Sequence, residues 1–262
     1  MPMNAREARV VDPILTDIAH GYTDEEFVGG ALFPEVTVRQ RGGRTLKFDK
    51  EAFRLYATRR APGARTTRLE FGYGDELFAL YQDAVEVPVP DELADEAKKT
   101  PGIDLQARSV RLGMAYMLRR HEVDCAAIAA NPVSYDEAHQ IDLAGDGQIK
   151  WSTRDCDPLD AVAGAQDAIA DSTGHEPNVL LLGRQVYRVL KKNRVIRDAF
   201  KYTSNKSITV EMLQEYFDIA KVVVGRARYV ADGPDGDFAL IWGNVAIAAY
   251  VPPKPQGMEQ PS

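Results

Sequence analysis

The chain has 262 residues, 45% of them hydrophobic and 27% charged, which predicts one large folded domain or two modest ones and excludes a long disordered tract. Its net charge of −7 argues against a protein whose whole surface binds nucleic acid, because phosphate binding depends on Lys and Arg. The two cysteines form no CxxC pair, and the chain carries neither a signal peptide nor a run of roughly 20 apolar residues, so we expect folding in a reducing cytoplasm.

Residues 1–35 are predicted to form an N-terminal arm. Short apolar pieces occur there without any long period. The sequence TDEE at 23–26 is a capping-box pattern that predicts a single helical turn. Pro34 marks the end of the arm.

Residues 36–90 predict an extended β-hairpin. Its legs are a strand-like run at 45–56 and a β-prone run at 76–89, joined by a tip rich in Gly, Pro and Arg. A leg of ten residues spans about 33 Å as a strand, whereas a compact globule of this length has a radius of gyration of about 18 Å. We therefore expect the hairpin to project from the body.

Two adjacent blocks of opposite charge cover this region. Residues 39–68 hold ten basic and two acidic residues, a net of +8, and residues 70–104 hold ten acidic and two basic residues, a net of −8. Such blocks suit docking between copies of one chain. Two alternatives are a solvated hairpin folded onto its own acidic neighbour and a DNA-binding module that uses the basic tip.

Residues 103–129 predict the clearest helix, with apolar side chains at three- and four-residue steps. His121 and Cys125 lie one turn apart on the predicted apolar stripe, which favours a core-facing pair over a metal site because two ligands alone are a weak signal. Glu122 lies off that stripe. The polar residues 133–156 are predicted to be a connection.

Residues 157–237 predict an α/β domain in which helices pack on a small sheet. Asp157 is the expected N-cap of the first helix, and Gly174 lies just past its end. The apolar run 178–183 predicts a central buried strand. Thr209 is the expected N-cap of a later helix, which precedes a β-branched strand at 221–230.

The last segment, residues 238–262, predicts a pair of apolar strands and a polar tail. Gly243 and Asn244 are the expected turn between the two strands, which together span 238–251. The Pro-rich tail adds no closing element.

Motifs of catalysis are lacking. The sequence contains no GxSxG, P-loop, GxGxxG or HExxH motif, and its four histidines are scattered. We therefore nominate no catalytic, cofactor-binding or metal-binding residue and expect a protein that is not an enzyme. An α/β enzyme with an unrecognised site stays an alternative, because many sites are assembled from distant positions.

The order of these parts resembles a known family. GYTDEEFVGGALFPEVTV leads into the hairpin, GRTLKFDKEAFRLYATRRAPG lies on it, and YQDAVEVPVPDELADEA follows it. NVLLLGRQVYRVLKKNRVIRDAFKY and LIWGNVAIAAYVPP come later. These segments together resemble the major capsid proteins of tailed bacteriophages, whose Hong Kong 97-type coat fold is shared with encapsulins.

The resemblance implies an α+β capsid fold and a structural role. The implied parts are an N-terminal arm (1–35), an extended loop (36–90), a peripheral domain with a spine helix (91–156), an axial domain (157–237), and a late strand pair with a truncated tail (238–262). It also implies hexamers and pentamers that tile an icosahedral phage or prophage head around double-stranded DNA, without a cofactor, a membrane or sequence-specific DNA binding.

The resemblance places the extended loop across a neighbouring subunit. The candidates for contacts between subunits are therefore basic residues of the loop: Arg59, Arg60, Arg65 and Arg68 at the tip and Lys47 on a leg. Some family members form covalent crosslinks through a loop lysine. We predict none here, since no bond-forming pair can be identified.

Two departures from the family pattern shape further expectations. The chain has no long helical scaffolding segment near its N-terminus, which favours a separate scaffold protein. It also stops soon after the late strand pair, which predicts an incomplete copy whose peripheral sheet has an open edge and whose assembly is impaired. An encapsulin-like compartment shell is the alternative that shares the fold.

Overall fold

The computed structural model of the chain describes residues 13–24, 26–38, 40–48, 59, 73–98, 104–143, 145, 149–153, 155–201, 207–231 and 236–253. Its α-helices are α1 (Pro13–His20), α2 (Asp91–Lys98), α3 (Leu105–Ala129), α4 (Pro158–Thr173), α5 (Arg184–Leu190), α6 (Arg194–Ala199) and α7 (Val210–Phe217). Its strands are β1 (Gly42–Phe48), β2 (Tyr73–Ala79), β3 (Val179–Gly183), β4 (Lys221–Gly225), β5 (Arg228–Val230), β6 (Phe238–Leu240) and β7 (Ala246–Ala249). The predicted mixture of helix and sheet is confirmed.

A three-stranded sheet with the order β4-β3-β7 lies at the centre of the α/β part. Strand β3 runs parallel to β4 and antiparallel to β7. Leu180 and Leu182 pack on one face of β3 and Leu181 packs on the other, as the two-residue period of a strand requires. The prediction of a central buried strand is confirmed, since all five residues of β3 are buried.

Four helices, α4 to α7, contribute to the core on the first face of the sheet. Their buried contacts with Leu180 and Leu182 come from Val162, Leu190, Ile196, Leu213 and Phe217. The predicted ends of α4 are confirmed: the carboxylate of Asp157 accepts a hydrogen bond from the N–H of Leu159 at 2.9 Å, and Gly174 adopts a left-handed φ of 75°.

The long helix α3 contributes to the core on the second face. It begins at Asp104, whose carboxylate accepts from the N–H of Ala107 at 2.9 Å, so the prediction of a helix here is confirmed. The predicted apolar stripe agrees only in part with the buried side of the helix. Cys125 is buried, but His121 on the same stripe is exposed and the off-stripe Glu122 is buried. The reason is that the helix is covered on different sides along its length.

The prediction of a late strand pair is wrong. Strand β6 pairs antiparallel with β5, and β7 pairs with β3, so the two strands around Gly243 belong to different sheets. The expected single strand at 221–230 is likewise divided into β4 and β5. Trp242 lies between the two late strands and is buried, and its indole packs so closely on Gly225 that a Cβ there would overlap it. The residue before the expected turn is therefore buried, whereas the end of a hairpin would be exposed.

The hairpin consists of β1 and β2, which pair antiparallel from Gly42 opposite Ala79 to Phe48 opposite Tyr73. The second leg is shorter than predicted, because residues 80–90 form no regular secondary structure. The far part of the first leg, 49–56, lies outside the described residues.

The predicted arm contains more regular structure than expected. Helix α1 occupies part of it, and a 3-10 turn forms at Gly29–Ala31. The helical turn expected at 23–26 does not form at its described positions. Among the described helices, none is both long and apolar enough to cross a membrane.

Candidate functional site

A buried carboxylate joins three distant segments of the chain. Glu122 on α3 is only 2% exposed. Its Oε1 accepts hydrogen bonds from the N–H of Val28 at 2.9 Å and from Nε1 of Trp242 at 2.5 Å, and its Oε2 accepts from the N–H of Gly29 at 2.8 Å. We call these four residues the Glu122 junction.

Close packing surrounds the Glu122 junction. A Cβ on Gly29 would lie 2.7 Å from Oε2 of Glu122 and 3.1 Å from Cβ of Cys125, so the position has no room for a side chain. Burial, together with the nearby carboxylates of Glu122 and Asp124, raises the pKa of the Cys125 thiol to about 11. The thiol is therefore protonated and acts as a small apolar group at neutral pH.

The donors of the Glu122 junction fix the position of the arm on α3. A buried carboxylate is costly unless its lone pairs are satisfied, and here three donors satisfy them. Two of these donors are backbone groups beside the 3-10 turn. The junction thus holds that turn against the helix and ties both to Trp242.

A second feature is an exposed apolar face on the N-terminal half of α3. Leu112 and Tyr116 lie one helical turn apart and are 51% and 59% exposed. Val85, from the segment before α2, is 50% exposed, and together with Val87 it packs on Gly113 of the helix. We call Val85, Leu112 and Tyr116 the apolar face. Contiguous exposed apolar side chains of this kind mark interaction surfaces.

Acidic side chains flank the apolar face. Asp83 and Glu86 lie on either side of Val85 in the chain, and Asp91 and Glu92 form the first turn of α2. All four side chains are exposed. They belong to the acidic block found in the sequence. Negative charge therefore lies on the Val85 side of the apolar face, whereas along α3 the exposed Arg108 and Arg120 lie one turn before Leu112 and one turn after Tyr116.

Comparisons with known proteins show which family the chain belongs to. The chain is 34% identical over 96% of its length to the major capsid protein of Burkholderia phage BcepMu, of which the match covers 80%. It is 26% identical over 92% of its length to the major capsid protein of Pseudomonas phage JBD67, of which the match covers 77%. The chain belongs to the phage major capsid protein family. No family model matches it.

A solved structure agrees with this assignment. The chain resembles the crystal structure of a phage-related protein from Bordetella bronchiseptica RB50, with a TM-score of 0.76 and 42% identity. The likeness covers 97% of this chain and 81% of that one. As a major capsid protein, the chain is a structural subunit that assembles into the capsid of the virion.

The structure describes two of the five predicted contact residues of this capsid protein. Arg59 is exposed, and Lys47 lies on β1 opposite Gly74 of β2. Arg60, Arg65 and Arg68 lie outside the described residues. The contact role of these five side chains stays a prediction.

Within the described ranges, no cluster of three or more His, Cys, Asp or Glu side chains could hold a metal ion. Sγ of Cys125 and Nε2 of His121 lie 3.6 Å apart, as their spacing predicts. The core-facing interpretation holds for the buried Cys125 and is wrong for the exposed His121.

The sequence interpretation missed both the Glu122 junction and the apolar face. Nothing in the sequence indicates that Glu122 is buried, because a glutamate in a helix with charged neighbours is expected to be exposed to solvent. A signal did exist for the apolar face: Leu112 and Tyr116 are large apolar residues at helical spacing that lie off the main stripe. A second apolar stripe on one helix indicates a second partner.

Proposed function

We propose that this capsid subunit builds an icosahedral shell of hexamers and pentamers around double-stranded DNA, directed by a separate scaffold protein. In this proposal the chain divides into an arm, an extended loop, a peripheral domain with α3 as its spine helix, an axial domain and a C-terminal tail. The similarity to two phage major capsid proteins over more than nine-tenths of the chain supports the proposal.

We further propose that the extended hairpin of one copy lies across the apolar face of a neighbouring copy. The observation that carries this proposal is the half-exposed apolar face, which has acidic residues on its Val85 side. Leu112 and Tyr116 supply apolar area, and burial of apolar surface contributes roughly 25 cal/mol per Å² to association.

The basic tip of the hairpin is opposite in charge to the acidic residues beside Val85. The candidates at the tip are Arg59, Arg60, Arg65 and Arg68, with Lys47 on the leg. Charge complementarity steers two copies together and selects one register, while the apolar centre gives most of the affinity. The loop charges are therefore expected to govern the rate and salt dependence of assembly.

Reversal of the four tip arginines to glutamate tests this docking. We expect assembly, followed by light scattering and negative-stain microscopy, to require a protein concentration at least about tenfold higher than for the wild type, which corresponds to about 1.4 kcal/mol. The matched control reverses four basic residues away from the hairpin: Lys150, Lys221, Arg226 and Arg228. Normal assembly of the tip variant would overturn the electrostatic docking, and a wild-type chain that forms no shell, ring or capsomer would overturn the capsid proposal.

A further inference from the structure

Helices α5 and α6 carry a concentration of positive charge. Residues 184–201 contain seven basic residues and one acidic residue, in a chain whose net charge is −7. Arg188, Lys192, Arg197 and Lys201 are exposed. We call these four side chains the basic face. Its sign is opposite to that of the chain as a whole, so the overall composition does not account for it.

The helical period turns the basic side chains of α5 away from the core. Val186 and Leu190 pack in the core on the first face of the sheet. Arg188 lies two residues from each of them, which is about 200° around a helix, so its side chain leaves on the opposite side. Lys192 follows four residues later, in the turn that ends the helix. The basic side chains thus belong to the solvent side of an amphipathic helix.

A buried asparagine holds the two helices in one arrangement. Asn193 is only 3% exposed. Its Oδ1 caps α6 by accepting hydrogen bonds from the N–H groups of Val195 at 2.8 Å and Ile196 at 3.2 Å. Its Nδ2 donates to the carbonyl oxygen of Cys156 at 2.8 Å. The basic side chains therefore project from an anchored pair of helices, and a ligand need not order the backbone in order to bind them.

Acidic side chains of the same copy do not neutralise the basic face. Arg194 forms the ion pairs of this segment: its NH1 lies 3.6 Å from Oδ1 of Asp155, and its Nε lies 3.4 Å from Oδ2 of Asp198. Asp198 is the acidic residue of the segment, so its carboxylate is already paired. None of the four basic-face side chains forms an ion pair with another residue that the structure describes. They are available to a ligand outside the subunit.

We infer that the basic face of α5 and α6 binds the phosphate backbone of double-stranded DNA without reading its sequence. This inference rests on the proposed shell, because the DNA inside such a shell is the polyanion that the subunit meets. Duplex DNA carries one negative charge per about 1.7 Å of its axis. Over the seven residues of α5, about 10 Å, its two strands present roughly six charges, so exposed basic side chains find phosphates whatever the sequence.

The composition of the basic face favours DNA over a protein partner. None of the large apolar side chains of residues 184–201 is exposed. A stable protein contact has an apolar centre within a polar rim, whereas a DNA contact is polar and positively charged. The lack of exposed aromatic side chains in the segment also argues against stacking on the bases of a single strand. The chemistry of the basic face therefore matches the backbone of a duplex.

The test measures binding of a fluorescent duplex of about 30 base pairs to the unassembled full chain, by anisotropy at a series of salt concentrations. One variant removes the basic face by Arg188→Gln, Lys192→Gln, Arg197→Gln and Lys201→Gln. We expect its Kd in about 50 mM salt to rise at least about 100-fold, and the slope of log Kd against log salt to fall by about three to four. Two duplexes of different sequence should bind the wild type with Kd values within about threefold of each other.

Two control variants separate the basic face from net charge and from folding. In the first, Arg108→Gln, Arg111→Gln, Lys150→Gln and Lys221→Gln remove the same charge from exposed positions elsewhere, and Kd should rise less than about fivefold. In the second, each basic-face arginine becomes lysine and each lysine becomes arginine, which keeps the charge and should leave Kd within about threefold of the wild type. All variants should share one thermal unfolding midpoint, since every changed side chain is exposed.

Three results would overturn the inference. The first is a basic-face variant that binds the duplex as tightly as the wild type or no more weakly than the first control. The second is binding that is lost on reversal of the four tip arginines and kept in the basic-face variant, because the hairpin would then be the DNA site. The third is altered assembly with unchanged DNA binding, which would show that the basic face contacts a protein.

The inference and the proposed shell fail separately. DNA binding is measured on the unassembled chain, whereas the shell is tested by light scattering and microscopy. Shells formed by a chain that does not bind the duplex would overturn only the inference. Loss of duplex binding in the basic-face variant would support the inference even if the wild type built no closed shell.

Discussion

The two halves of α3 have opposite surroundings. In the C-terminal half, Glu122, Cys125 and Ala126 are buried against the arm, the sheet and Trp242. In the N-terminal half, Leu112 and Tyr116 are more than half exposed. One continuous helix thus changes from a core element to a surface element within three turns.

The two halves of α3 therefore have different roles. The C-terminal half stabilises the subunit, because it holds the arm and the late strands together through the Glu122 junction. In the N-terminal half, the exposed side chains of Leu112 and Tyr116 contribute little to the fold of a single copy. We therefore expect substitutions at the Glu122 junction in the C-terminal half to change the free energy of unfolding, and substitutions of Leu112 and Tyr116 in the N-terminal half to change assembly.

The largest expected effect is on stability, from Glu122→Ala. The substitution leaves Nε1 of Trp242 and two backbone N–H groups buried without their acceptor. We expect a loss of about 4 kcal/mol in the free energy of unfolding, measured by urea titration of the unassembled subunit. The control, Glu137→Ala, removes an exposed carboxylate and should change it by less than about 0.5 kcal/mol. Equal effects at both positions would show that the Glu122 junction does not stabilise the subunit.

A smaller effect is expected from Gly29→Ala. The new Cβ would lie 2.7 Å from Oε2 of Glu122, so the arm must shift away from α3, at a cost of about 1–3 kcal/mol. The adjacent Gly30→Ala is a matched control, because no atom lies within 4 Å of its Cβ position. The comparison of the two thermal unfolding midpoints checks the prediction, and identical midpoints would contradict it.

The smallest stability effect is expected from the double variant Leu112→Asp and Tyr116→Asp. Both side chains are exposed, so the unfolding free energy of the unassembled subunit should change by less than about 1 kcal/mol. Assembly measured by light scattering should nevertheless be abolished, since charges would enter an apolar contact. Gln106→Asp, an exposed change one helical turn or more away, is the control. A large loss of stability, or normal assembly, would refute the division of α3 into two roles.

The elements that could be predicted from the sequence are those with strong local signals. Asp157 and Gly174 fix both ends of α4 by capping chemistry within a few residues. The run of Leu180 to Leu182 predicts a strand buried on both faces, because no polar residue interrupts it. The order of such segments along the chain also carried the resemblance to phage major capsid proteins, which the similarity to two of them confirms.

The pairing of the late strands could not be predicted in the same way. Their apolar residues around Gly243 fit a hairpin, yet β7 pairs with β3 about 70 residues earlier. Non-local pairing depends on which strand edge is available in the folded chain, and no local pattern encodes that. Strand β6 pairs with β5 instead, and Trp242 between the two late strands is buried.

The sequence by itself determined a mixture of helix and sheet with opposite charge blocks, because composition, capping and strand periodicity are local properties, while the capsid role came from the resemblance of its segments to a known family. Only the tertiary structure decided that Glu122 is buried and that Leu112 and Tyr116 are exposed. The physical reason is that the burial of a helical residue depends on which distant segments cover each side of the helix. Here the arm and Trp242 cover the end of α3, while part of its beginning is left open for another copy to cover, as we propose.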